Sequence, residues 1–453
     1  MTPDPSLVAQ RFGYGLPLAA DAPLTPAAML LRLGGPDDMT TRFPIGRMSD
    51  ELALLRAADQ LRGPMLDHPT AASQALYDAA LDAAEAPGLA ATRISIARAV
   101  DNPDGFRERL VAFWADHFTT RAKARQYQFL PFDLIETAIR PNLTAPFADM
   151  LVAVTTHPAM LTYLDQNASY GPQSPRGKRA GKGLNENLAR ELLELHTLGV
   201  GAAYTQADVR QMAELLTGLA FDHRHGAFFD DKRVEPGAER VLGRAYDGTG
   251  PLPIKAALRD LAVRRETAAH LSSKLVRHFV SDVPDRNLVM AAQAAYQGTG
   301  GDLSRTCAAL LLHPGAWQPS RQKARQPYDF IIASLRALGV TGPHILGMPD
   351  VRFQRAIIGP MARMGQPYLQ APGPDGWPDL ARDWITPPGL AARISWAMTM
   401  PTALVADLPD PVEFAHRALG SSASERLLWA VARAESRREG VGLVLVSPEF
   451  NQR

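Results

Sequence analysis

Apolar residues recur at three- and four-residue intervals along most of the chain. That spacing puts them on one face of a helix. The clearest case is Asn185 to Gly199, NENLARELLELHTLG. Each residue turns about 100° around a helix axis, so Leu188, Ala189, Leu192, Leu193 and Leu195 share one broad face. Glu186, Asn187, Arg190, Glu191, Glu194 and Thr197 fall on the other. Asn185 suits an N-cap, where its side-chain oxygen accepts an orphan backbone N–H. Glu186 beside it is favoured by the helix dipole. Gly199 supplies the left-handed residue that ends the helix.

The same spacing predicts helices around this one. Residues 24–34, 50–63 and 70–100 read as helical, the last broken at Pro87-Gly88, with Leu61, Leu76, Leu81, Ile94 and Ile96 as core positions. Asp101-Asn102-Pro103-Asp104-Gly105 is a strong break. Residues 106–118 follow as a helix whose Phe106, Leu110, Phe113 and His117 share a face. His157-Pro158 starts another, with proline at the first helical position. Thr205-Gln206-Ala207-Asp208 resembles a capping box with Asp in place of Glu. Residues 222–250 leave room for a short hairpin. Residues 365–378 hold too many prolines for a helix. The expectation is an all-α protein with little sheet, one domain over residues 1–453, with the Pro-rich loop 365–389 packed on it.

Composition narrows the setting. A chain of 453 residues buries a core without staples. The single cysteine, Cys307, rules out an intrachain disulfide. A net charge of +1 gives no electrostatic case for nucleic acid or an acidic membrane. No apolar run approaches the roughly 20 residues of a membrane span. Met1-Thr2-Pro3-Asp4-Pro5 is not followed by the basic and apolar regions of a signal peptide, so the expected compartment is the cytoplasm.

Candidate chemistry concentrates on the polar face of the central helix. Glu186, Arg190 and Glu194 are four apart and stack in one row, with Asn187, Glu191 and Glu194 beside them. The simpler reading is a solvated face with ion pairs worth about 0.3–0.5 kcal/mol each. The sharper reading is a partly enclosed cluster for acid–base work. The two carboxylates of glycoside chemistry stand about 5 or about 6.5–9.5 Å apart, which successive helical turns permit. His196 falls in the leucine face as a packed residue with one hydrogen bond. His117 ends an aromatic stripe beside Asp116, as a core or cap residue or as a site histidine. Lys274, Arg277, His278 and His270 form a basic stripe that could meet the acidic face. The basic loop 167–182 is a surface loop or a lid over that face. Residues 321–325 read as a basic linker. Tyr368 and Trp377 either plug an apolar gap or stack on a sugar ring. His223 and His225 lack further ligands at a recognisable metal spacing.

The string LNENLARELLELHTLGV, with Tyr204-Thr205-Gln206-Ala207-Asp208-Val209 and Leu216-Thr217-Gly218, closely resembles the DUF1800 family of bacterial proteins. Other pieces match in order: Arg11-Phe12-Gly13-Tyr14-Gly15, Phe113-Trp114-Ala115-Asp116-His117-Phe118, His157 to Asp165, Lys274 to Val280, Gly376-Trp377-Pro378 and Ser447-Pro448-Glu449-Phe450. Family members often carry Asn-His where this chain has Asp116-His117. Many carry a histidine where this chain has Val234, so a metal site relying on that histidine has no counterpart here. The resemblance leaves the cofactor unknown and carries no settled activity. It does imply a companion, because related genes often neighbour sulfatase-like DUF1501 proteins with export signals. Two functions follow as expectations. One is a non-catalytic partner of such a protein, co-exported to the periplasm. The other is an envelope or carbohydrate-active hydrolase or lyase using Glu186, Arg190 and Glu194, with Asn187, Glu191, His117 and Trp377 binding substrate.

Overall fold

The computed structural model describes residues 3–15, 24–248 and 250–453. Helix makes up 65% and strand 4%, the all-α architecture that the apolar spacing predicts. Strand is confined to two antiparallel hairpins, Leu219–Asp222 with Gly226–Phe229 and Glu239–Val241 with Arg244–Tyr246. No helix of the described residues is long and apolar enough to cross a membrane.

Local signals hold at many helix starts. Thr205 accepts from the Asp208 N–H while the Asp208 carboxylate accepts from the Thr205 N–H, so the capping box is complete. His157 Nδ1 caps the helix Pro158–Tyr163 by accepting the Ala159 N–H at 3.1 Å. The expected break at Pro87-Gly88 does not occur, and the helix Ala71–Asp101 runs through it. A Cβ on Gly88 would stand 2.6 Å from Gln128. The small residue admits that neighbour, and tertiary packing overrides the local signal. Leu76 is 60% exposed and is not core. No described residue from Asp59 to Ala83 is fully buried, so this alanine-rich hairpin mostly covers itself.

Among the described residues two large apolar cores form, with a small third cluster of Ala91, Phe129 and Phe132. One gathers Phe12, Phe113, Trp114, Leu188, Leu192 and Leu271. The other gathers Ile96, Val100, Phe330, Trp396, Val441 and Phe450. The end of Ala71–Asp101 enters the second core and Phe106–His117 enters the first, with the predicted break between them. Arg109 on the latter helix reaches Asp329 on Pro327–Ala337 at 2.7 Å, an ion pair across the seam.

The central helix lies inside the first core, with a change of pitch. It is α-helical over Asn187–Glu191 and π-helical over Leu192–Thr197. The Leu198 N–H donates to the Leu193 carbonyl at 3.0 Å, and Thr197 Oγ1 donates to the Leu192 carbonyl at 2.7 Å. The first is a backbone bond reaching back five residues, as in a π turn, and the second is a side-chain bond spanning the same distance along the chain. The wider turn shifts the register, so Thr197, expected on the polar face, is fully buried and Leu195 only half-buried. Leu188, Ala189, Leu192 and Leu193 are buried as predicted. Asn185 Oδ1 accepts the Asn187 N–H at 2.9 Å, and Gly199 has φ +92°. His196 is packed, but its buried Nε2 has no hydrogen-bond partner among the described residues.

Candidate functional site

The ionic row forms as its spacing predicts. Arg190 lies 3.3 Å from Glu186 and 3.5 Å from Glu194. Gln206 donates to Glu186 at 2.7 Å and accepts from Arg190 at 3.0 Å. The three charged side chains keep 33%, 39% and 26% of their surface. Asn187 is exposed and Glu191 half-buried. Burial, then Glu194, raises the Glu191 carboxyl. The loop expected as a lid holds a short helix, Pro175–Ala180. It is fastened elsewhere, by the Gly171 N–H on the Arg233 carbonyl at 2.8 Å and Arg176 on Asp230 at 2.8 Å.

The expected basic stripe does not meet this row. The Leu195 and His196 carbonyls belong to the last turn of the central helix and lack intrahelical partners. His270 Nε2 lies 3.0 Å from the first, and His117 Nε2 lies 3.2 Å from the second. Histidines from the flanking helices Arg265–Phe279 and Phe106–His117 therefore cap the central helix. With Nε2–H donating, His117 Nδ1 accepts from Lys274 Nζ at 3.2 Å. Burial, then the Lys274 charge, holds His117 well below its ordinary value. The same causes lower His196 to about 3 and His270 to about 4. Among the described residues no three His, Cys, Asp or Glu side chains converge as a metal site requires.

One residue before His117, the chain turns toward a cavity at the seam of the two cores. The cavity measures about 100 Å³ and is lined by Asp116, Trp377, His278, Arg109, Glu108 and Tyr328, among others. A single water needs roughly 10–15 Å³ on this scale, so a small molecule fits. Charges on its wall are paired. Arg140 holds Glu108 at 2.6 Å and Asp37 at 2.8 Å. His278 faces Asp379 through Nδ1 at 3.0 Å and Arg109 through Nε2 at 3.4 Å. Burial lowers His278 to about 4, so it is neutral at pH 7, with Nδ1–H donating to Asp379.

Asp116 differs from its neighbours. It forms no ion pair among the described residues and accepts the Trp377 N–H at 2.8 Å. Burial raises its carboxyl to about 7, against the pull of that hydrogen bond and of the Lys274 charge. Gly376 has φ +81°, and a Cβ on it would stand 2.7–2.8 Å from Asp116 oxygens. Only glycine lets the Pro-rich loop close over this carboxyl. Tyr368 of the same loop stacks on Tyr328, ring centroids 5.5 Å apart.

Of the residues expected in a site, Glu186, Arg190 and Glu194 thus come together with Glu191 near them. Trp377 lines the cavity, and His117 sits one residue beyond Asp116, turned toward Lys274. Arg109 and Asp329 carry no signal in the sequence, and Lys274, expected in a basic stripe facing the helix row, faces His117 and Asp116 instead. In the sequence Asp116 stands out only as the neighbour of His117; Gly376, whose close approach could have marked it, stands there only as part of a motif.

No curated protein matches the chain, and no solved structure does. The family described as protein of unknown function (DUF1800) matches residues 8–452, nearly the whole length. A match of that extent settles membership: the chain belongs to the DUF1800 family.

Proposed function

We propose that the protein binds a small polar molecule in the seam cavity and that Asp116 exchanges a proton with it. One observation carries this reading: a half-buried carboxyl, closely surrounded by protein atoms, lines the cavity without a cationic partner in contact. A carboxyl half-protonated near neutrality serves as acceptor or donor at the pH where the protein works. Lys274 tunes it through space, and the Trp377 N–H fixes one oxygen. Asp116 lines the cavity and the helix row does not, so the enzymatic alternative moves from the row to Asp116. The test compares a source-cell metabolite extract, by mass spectrometry, after incubation with wild type and with D116N. The reading expects at least one small polar molecule converted or retained by wild type alone. Two indistinguishable extracts contradict it.

A second reading rests on the row itself. Glu186, Arg190 and Glu194 are mutually paired, one-quarter to two-fifths exposed, and outside the seam cavity. That suits docking better than chemistry, and it supports a partner role toward a sulfatase-like DUF1501 protein, in the cytoplasm or after co-export. R190E abolishes capture of that companion under this reading and leaves D116N capture intact. Equal capture by R190E removes it.

A further inference from the structure

Residues 321–325, expected as a linker, enter the interior at their end: Gln322 is exposed, while Lys323, Ala324 and Arg325 are buried. Their backbone pairs with residues 451–453. The Arg325 N–H donates to the Asn451 carbonyl, and the Arg453 N–H donates to the Lys323 carbonyl, both at 2.8 Å. Side chains alternate along such a ladder, so Arg325 and Arg453 point to the same face. With Arg109 and Arg393 they make four guanidinium groups, none more than 2% exposed.

One carboxylate touches two of them, and Asp379 acts on Arg453 from farther away. Asp329 lies 2.7 Å from Arg109 and 3.4 Å from Arg453. Arg393 donates instead to Asn451 Oδ1 at 2.9 Å and the Arg325 carbonyl at 2.7 Å. Nη1 and Nη2 of Arg325, and Nε, Nη1 and Nη2 of Arg453, are buried without a hydrogen-bond partner among the described residues. Phe450 lies under the Arg325 plane at 4.5 Å and fixes its orientation. An uncompensated buried charge is strongly destabilising, and buried donors are nearly always satisfied. Burial chiefly lowers both groups, to about 9, so both remain charged at pH 7.

We propose that Arg325 and Arg453 form a binding site for a small oxyanion, carboxylate- or phosphate-like, beside the Arg109–Asp329 pair. Guanidinium forks match two oxygens of such a group, which a halide does not offer. The site goes beyond the Asp116 reading and survives its failure.

The test is calorimetric titration of the full chain at pH 7 with phosphate, acetate and chloride at matched ionic strength. The expected result is saturable binding of one equivalent of phosphate or acetate, with chloride at least tenfold weaker. R325M loses at least tenfold in that affinity, and R121Q, at an exposed arginine, does not. A preference for phosphate assigns a phosphoryl ligand, and a preference for acetate a carboxylate. Absence of saturation, chloride binding as tight as the oxyanions, or equal binding by R325M overturns the proposal. Should R325M fail to fold, thermal unfolding of wild type decides. A rise in Tm with phosphate over matched chloride supports the site, and no rise overturns it.

Discussion

The ionic row on the central helix and the wall of the seam cavity use the same residue types to opposite ends. In the row, Arg190 bridges Glu186 and Glu194 where water still reaches all three. Exposed pairs of this kind contribute a few tenths of a kcal/mol and weaken in salt. At the seam, Arg109–Asp329 and Arg140–Glu108 are buried, and Asp116, though half-buried by surface, is closely surrounded by protein atoms. There burial raises the Asp116 carboxyl, whereas at Asp329 the neighbouring Arg109 and Arg453 overcome burial and hold the carboxyl low. A strip that water can replace suits reversible docking, while a walled carboxyl suits handling a proton. The spacing of charges along a helix does not separate the two roles; burial does.

Acid should produce the largest contrast. His117, His196, His270 and His278 are all depressed below the ordinary 6.5 by burial. A depressed histidine contributes stability above its unfolded pKa and loses it as pH falls toward the folded value. Each therefore removes up to about 1.4 kcal/mol per pH unit below about 6.5. Denaturant titrations at pH 7, 6, 5 and 4.5 should show a steep loss of several kcal/mol. A flat profile would mean these rings are solvated like the row.

Next in size is the seam ion pair. D329N leaves Arg109 and Arg453 without their shared carboxylate and should cost about 3–5 kcal/mol in urea unfolding at pH 7. A cost under 1 kcal/mol would place the pair in the same class as Arg190.

Asp116 titrates with the opposite sign. Its folded value of about 7 lies above the ordinary 3.8. Its contribution is full below about pH 4 and is lost as pH rises through about 7. D116N should therefore gain stability relative to wild type between those limits, measured by urea midpoints. K274M should raise the Asp116 value further, because the Lys274 charge favours the carboxylate. An unchanged value would detach Lys274 from this site.

The smallest effect belongs to the row. R190A should cost under about 1 kcal/mol, and the difference should vanish in 1 M salt.

What the sequence made legible follows the range of each interaction. Thr205 with Asp208, His157 with Pro158, Asn185 and Gly199 act within one turn, and each is where the sequence puts it. The aromatic stripe correctly buried His117. The π turn was not legible, because hydrogen bonds five residues back leave no mark in a pattern that α spacing also fits; Thr197 shows the consequence. Leu76 was misread because an alanine-rich helix pair presents an apolar pattern without a core to bury it. The seam was hidden for another reason. Asp116, Lys274 and Trp377 lie far apart in the chain, and Arg325 reads as a linker until its partner strand at 451–453 is in view.

The most direct test of the central claim, that the working carboxyl is at the seam and not on the helix row, is the ionisation of Asp116 itself. A carboxyl-carbon NMR titration of aspartate-labelled protein, with the resonance assigned by D116N, reports it alone. The account predicts a midpoint near 7. A midpoint near 4, the value of a solvated aspartate, would contradict it.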